Sequence, residues 1–148
     1  MIESYETTHA ELVRSLAPEC TVLLKKDGKF PLSAPQKIAL FGSGARYTVK
    51  GGTGSGEVNS RTSVTIEEGL ERAGFTVTTK GWLDAYDAVR QAAKKAFFQE
   101  IRDRAKRNHT LAAMEGMGAV MPEPEYQLPL RGSGDTAVYV LSRISGEG

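Results

Sequence analysis

The stretch Lys37-Ile-Ala-Leu-Phe41, running directly into Gly42-Ser43-Gly44, decides the fold. Four consecutive apolar residues that end on glycines suit a strand of a parallel sheet, buried on both faces. An antiparallel surface strand would alternate with polar residues instead. From this strand the pattern works outward in both directions. Downstream, Glu67 and Glu68 stand in the favourable first turn of a helix through Ala73, with Ser63 or Thr65 as its N-cap. Gly74 stops that helix, and Phe75 to Thr79 alternates as a second strand. Trp82 to Lys106 is a long helix whose inward stripe is Trp82, Tyr86, Val89, Ala93, Ala96, Phe97 and Ile101. Asp84 and Asp87, one turn apart on it, are expected to face solvent. Asn108 to Gly134, interrupted by Pro122, Pro124 and Pro129, is expected to hold little regular structure. Ala137 to Ile144 closes the pattern as a further buried strand, followed by Ser145-Gly-Glu-Gly148.

Upstream, Thr8 to Ala17 carries Leu12, Val13 and Leu16 at helical spacing and stops before Pro18. Thr21 to Leu24 is a compact apolar run, expected as a short strand that closes on Lys26-Asp27-Gly28. Phe30-Pro31-Leu32 is an extended connection. Strands alternating with helices give a parallel sheet with helices on its faces. The fold class is α/β: a three-layer sandwich with a mainly parallel sheet, incomplete at its C-terminal end.

The 148 residues suffice for one domain. A net charge of +1 supplies no field to draw in a polyanion, which argues against nucleic acid. The basic run from Lys94 to Arg107 is interleaved with Glu100 and Asp103 and is expected as a solvated helix face. The single cysteine, Cys20, excludes an intrachain disulfide and is expected as a buried small hydrophobe. His9 and His109 have no metal-ligand spacing, and nothing in the sequence calls for a metal or a cofactor. No apolar run is long enough to span a bilayer and the N-terminus has no signal core, so the default location is the cytoplasm.

Two loops carry candidate chemistry. Lys50-Gly-Gly-Thr-Gly-Ser-Gly-Glu-Val-Asn59 has the outer glycine spacing of a phosphate-binding loop, Gly51 to Gly56. Glu57 and Val58, however, stand where the phosphate-binding Lys and Ser/Thr belong. Gly42-x-Gly44 likewise lacks the third glycine of a dinucleotide fingerprint, which is Tyr47. Dense glycine does permit close backbone approach to a ligand. Thr53, Ser55 and Asn59 would then offer hydrogen bonds to a polyol; a merely flexible surface loop is the competing reading. The second candidate is Glu147, a carboxylate between two glycines, where a general acid/base and an ordinary exposed turn residue are both admissible.

Together, Cys20-Thr-Val-Leu-Leu-Lys-Lys-Asp-Gly28, Phe30-Pro-Leu32, Lys37-Ile-Ala-Leu-Phe-Gly42, the glycine loop and Arg143-Ile-Ser-Gly-Glu-Gly148 resemble family 3 glycoside hydrolases of β-glucosidase type. The resemblance runs from about His9 to Gly148. It implies an α/β sandwich domain that works with a TIM-like barrel of the same enzyme, the barrel bearing an aspartate nucleophile. It implies that Glu147 is the acid/base and that Ser55 approaches the sugar in the −1 subsite. Lys50, Thr53 and Asn59 are its substrate-binding neighbours, and a β-linked glucoside or oligosaccharide is the substrate. Residues 1–148 are then expected as a partial sandwich domain without its barrel, in the reversed domain order, inactive alone and able to form a homo-oligomer. A carbohydrate-binding or interaction module that uses the glycine loop without catalysis is the alternative.

Overall fold

The computed structural model describes residues 3–26, 28, 30–51 and 60–142. The chain divides into two compact units, residues 1–34 and 35–148. The first unit is built on helix α1 (Ser4–Leu16). It starts four residues ahead of the expected Thr8 because the Glu6 carboxylate accepts a hydrogen bond from the Glu3 N–H at 2.8 Å, satisfying an orphan donor of the first turn. Its apolar residues stay exposed. The strand expected at Thr21 to Leu24 does not form. Thr21 instead returns both its N–H (to Pro18 O, 3.2 Å) and its hydroxyl (to Ala17 O, 2.9 Å) to the helix end, which prolongs the turn. Leu24 is 93% exposed. Cys20, expected to be buried, is exposed as well, on that same turn.

The second unit holds the sheet. Strand β1 (Lys37–Phe41) lies at its centre, between β2 (Thr76–Val77) and β3 (Thr136–Tyr139), in the order β2-β1-β3. Both pairings are parallel, with Ile38 opposite Val77 on one side and Phe41 opposite Tyr139 on the other. The sheet is open and its connections carry helices, as the α/β reading requires. Ile38 and Leu40 are fully buried, and Ala39 and Phe41 nearly so; successive side chains point to opposite faces, so both faces of β1 are covered.

Helix α2 (Ile66–Arg72) is capped by Thr65 rather than Ser63: its hydroxyl accepts from the Glu68 N–H, and the Glu68 carboxylate accepts from the Thr65 N–H. Gly74, at φ +92°, releases the chain into β2. That strand is shorter than expected because Thr79 completes the ladder with its side chain. Its buried hydroxyl accepts from Leu40 N–H at 2.8 Å and donates to Leu40 C=O at 2.6 Å, while its own carbonyl starts the next helix.

Helix α3 (Lys80–Arg107) buries Trp82, Leu83 and Tyr86 at one end and Ile101 and Ala105 at the other. Between them the expected stripe is only half covered, and Ala96 is exposed, because no described element lies over the middle of the helix. Residues 108–134 hold one short helix, α4 (Ala112–Glu115), in agreement with the proline-rich reading. Strand β3 begins and ends earlier than expected, and Val140 extends its pairing through a hydrogen bond to Phe41 C=O; residues 143 and 144 of the expected strand lie outside the described residues. Among the described residues no helix is long and apolar enough to cross a membrane.

At Gly42, φ is +94° and an added Cβ would stand 2.3 Å from the Val140 carbonyl oxygen. Gly28 has nearly the same φ, +95°, with nothing within 4 Å. Gly42→Ala is therefore expected to cost about 2–4 kcal/mol in urea unfolding, and Gly28→Ala about 1 kcal/mol or less. Equal costs at the two sites would show that backbone strain, not the β1–β3 contact, sets the requirement for glycine.

Candidate functional site

In a parallel sheet every strand delivers its carboxyl end to one edge, and the loops that leave this edge are the natural carriers of a site. Here the chain leaves β1 at Gly42 and β3 at Val140, immediately after the register partners Phe41 and Tyr139. Glycine lets the two departing segments touch. Besides Gly42 on Val140 O, a Cβ at Gly44 would stand 2.6 Å from Val140 Cγ1 and 3.3 Å from Ser142 Cβ. The segment leaving β1 leads to the glycine loop, and the one leaving β3 leads to Glu147. Thr53, Ser55, Asn59 and Glu147 themselves lie outside the described residues. Lys50, the one described member of the expected set, is exposed.

What the described residues build at this edge is an anchor for the loop. After a 3₁₀ turn over Ser43–Ala45, Arg46 turns its guanidinium onto carboxylates from two helices. Nε is 2.6 Å from Glu67 Oε2 of α2, and Nη1 is 2.7 Å from Asp84 Oδ1 and 2.6 Å from Asp87 Oδ2 of α3. Nη2 adds a 3.3 Å bond to Glu67 Oε1, which makes the Glu67 pairing bidentate. The Glu67 bond first, and those to Asp84 and Asp87 after it, hold Arg46 above its already high ordinary pKa. Two residues on, the Thr48 hydroxyl donates to Gly44 C=O (2.8 Å) and accepts from Ile66 N–H (3.0 Å). The loop between Thr48 and Ile66 is thus closed at its base by one side chain.

Asp84 is exposed, as expected, although paired; Asp87 departs from the expectation of a solvent-facing residue and is partly buried. Their one-turn spacing was visible in the sequence. Their shared partner, a lone arginine in an aperiodic loop, gave no pattern to find it by.

An aromatic cluster lies beneath this edge. Phe41 meets Trp82 edge-on at 5.3 Å, Trp82 stacks on Tyr86 at 5.6 Å, and Tyr126 abuts both. Tyr86 donates to the Glu123 carboxylate, and burial together with that carboxylate pushes its phenol well above the usual range. The Tyr126 and Tyr139 hydroxyls are 2.8 Å apart, and this bond, then burial, raises Tyr126 to about 12. Arg90 lies over the Tyr47 ring at 4.1 Å. Among the described residues no group of three or more His, Cys, Asp or Glu is arranged to hold a metal ion.

The chain is similar to β-glucosidases. It is 35% identical to β-glucosidase A of Butyrivibrio fibrisolvens over 144 residues, 95% of this chain and 15% of that protein. It is 48% identical over 44 residues, 29% of this chain and 5% of theirs, to proteins named "Probable beta-glucosidase G" from Aspergillus flavus and Aspergillus oryzae. The chain thus spans about 15% of the length of the Butyrivibrio relative. No family model matches it, and no solved structure does. These likenesses mark a glycoside hydrolase-related region.

Removing Arg46 would leave the buried Glu67 carboxylate facing two further acids. Arg46→Met is expected to cost about 2–4 kcal/mol, and Glu67→Gln, which retains a hydrogen-bond acceptor, less than half of that. Urea midpoints of the two variants check this; equal losses would mean that the pairing is not what the cluster contributes.

Proposed function

We propose that this chain is part of a retaining β-glycosidase of family 3, which removes terminal β-D-glucosyl or related residues from oligosaccharides or glycosides. The observation that carries the reading is 35% identity to a β-glucosidase over an alignment that covers 95% of the chain. The glycine loop and the Ser-Gly-Glu-Gly string add to it, since their residue types suit a sugar-binding and proton-transferring edge.

In this reading Glu147 protonates the departing glycosidic oxygen and afterwards takes a proton from the water that releases the sugar. A retaining mechanism needs a second carboxylate, the nucleophile, about 5–5.5 Å away. A barrel domain of the longer enzyme supplies it as an aspartate. Ser55 approaches the sugar bound next to the scissile bond, with Lys50, Thr53 and Asn59 around it. For the acid to hold its proton near neutral pH, its surroundings in the closed site must disfavour the charged form. Residues 1–148 hold one partner of the pair, so alone they do not turn over substrate.

The test exchanges the chain for its aligned segment in Butyrivibrio β-glucosidase A. The chimaera is expected to hydrolyse both cellobiose and 4-nitrophenyl β-glucoside. Glu147→Gln should lower kcat/KM for cellobiose by roughly 10²–10⁴. The aryl glucoside, whose leaving group needs little protonation, should lose far less. Equal losses on the two substrates would count against an acid role for Glu147. Turnover by the free 148-residue chain, abolished by the same change, would refute the division of the two carboxyls between domains.

A further inference from the structure

The acids near the end of α3 are engaged along one face of the helix and leave two cations uncovered on another. Glu100 pairs with Arg107 at 2.7 Å, Asp103 with Lys106 at 3.5 Å, and Glu115 of α4 with Arg104 at 3.0 Å. Positions 100, 103, 104 and 107 recur at the spacing of a single face. Lys94 and Arg102 have no carboxylate partner among the described residues, and Arg102 gives only a 3.3 Å bond to Gln99. Both stand on a groove of about 550 Å³ between the middle of α3 and the segment around α4. Its lining lies wholly between Tyr47 and Met121 and contains no acidic residue. A third cation there, Arg90, is already occupied: it lies over the Tyr47 ring at 4.1 Å and within 4.0 Å of the Glu123 carboxylate.

Lys94, Phe98 and Arg102 follow one another at i, i+4 spacing, which makes them a row along the helix with about 6 Å of rise per step. Phe98 is half exposed, and with Ile101 it gives the groove an apolar floor. The facing wall is Ala112, Ala113 and Gly116, which carry little side chain or none. A Cβ added to Gly116 would stand 3.6 Å from Ile101 Cγ2, so the groove is narrow at that end. A narrow apolar slot accepts a flat ring, and an unpaired cation one turn away on either side of Phe98 accepts an anionic group attached to it. The volume falls within the roughly 300–1,000 Å³ of small-molecule sites, which favours such a ligand over a protein surface.

We propose that this groove binds an aryl carboxylate, its ring against Phe98 and its carboxylate drawn to Lys94 and Arg102. A ligand this small, with its charge contact open to solvent, binds with Kd on the order of 0.1–1 mM. The site uses neither the glycine loop nor Glu147, so it stands apart from the glycosidase reading.

Naphthalene-2-carboxylate and its neutral amide are the paired probes, titrated into the full chain and followed by amide NMR shifts. The carboxylate should shift residues 94–102 and 112–121 and bind at least tenfold more tightly than the amide, with an advantage that shrinks at high salt. Lys94→Gln with Arg102→Gln should remove that advantage and leave the two probes alike. Lys95→Gln, one residue outside the lining, should leave both affinities as they were. Ala113→Trp, at an exposed position, should fill the slot and weaken both probes at least tenfold. Unchanged circular dichroism and thermal midpoints keep a folding defect from passing as a lost site. Equal binding of acid and amide to the wild type overturns the proposal, since a merely apolar surface would behave so. So do shifts confined to residues outside the groove, an equal loss in Lys95→Gln, and the absence of binding well above that Kd.

Discussion

Burial of β1 on both faces is the constraint from which the rest of the second unit follows. A strand in that position must place its backbone groups in ladders on both sides and its side chains under cover on both faces. Both ladders are completed at its carboxyl end by residues outside regular strands. Thr79 reaches Leu40 through its hydroxyl on the β2 side, and Val140 reaches Phe41 through its N–H on the β3 side. The three strand ends are thereby tied together at one edge, and Gly42 and Gly44 are small enough to let the exits of β1 and β3 meet. Catalytic geometry elsewhere depends on a rigid support of this kind, because loops hold position only as well as their anchors do.

Arg46 converts that support into a loop anchor. Three carboxylates around one guanidinium leave an excess of negative charge, an arrangement that would be costly deep in a core. It is admissible here because the cluster straddles the surface: Glu67 is buried, while Asp84 remains wet. The Glu67 pair therefore carries most of the cohesion, and Asp84 adds little beyond orientation. The burial and the bidentate geometry both favour Glu67, which agrees with its place as the foremost cause of the raised Arg46 pKa.

Elements whose identity rests on local chemistry were legible in the sequence, and elements that rest on a distant partner were not. The run Lys37 to Phe41 forms β1 over the expected bounds because continuous apolarity has one stable use in a parallel sheet. The Thr65 cap and the Gly74 stop are likewise written within a few residues. The apolar run at Thr21 to Leu24 has the composition of a strand and no ladder to join, so composition misled. Cys20 went astray for the same reason: burial depends on what covers a residue, and the residue type says nothing of that. Of the proposed site, the glycine loop stands out in the sequence by composition and Glu147 by its glycine neighbours and the family resemblance, while Thr53, Ser55, Asn59 and Glu147 lie outside the described residues. The Arg46 cluster joins residues 21 to 41 positions apart and has no local signature.

The anchor bears on why a glycosidase of the proposed kind can divide its two carboxyls between separate domains. Held permanently at a retaining distance, two carboxylates raise one another's pKa and each must be stabilised in its own charge state. Carrying the acid on one body and the nucleophile on another lets that mutual perturbation arise only when the domains close on substrate. The arrangement demands that each carrier hold its group firmly on its own, since the other domain cannot correct a misplaced loop. Glycine permits close backbone approach to a ligand and at the same time has more conformational freedom than other residues. A tether at the base offsets that freedom without adding bulk at the tip. Thr48 joins the first residues of the loop to the first turn of α2 at 3.0 Å, and Arg46 ties the same strand exit to α2 and α3. The polar contacts of these residues thus lie beside the sheet, at the base of the loop.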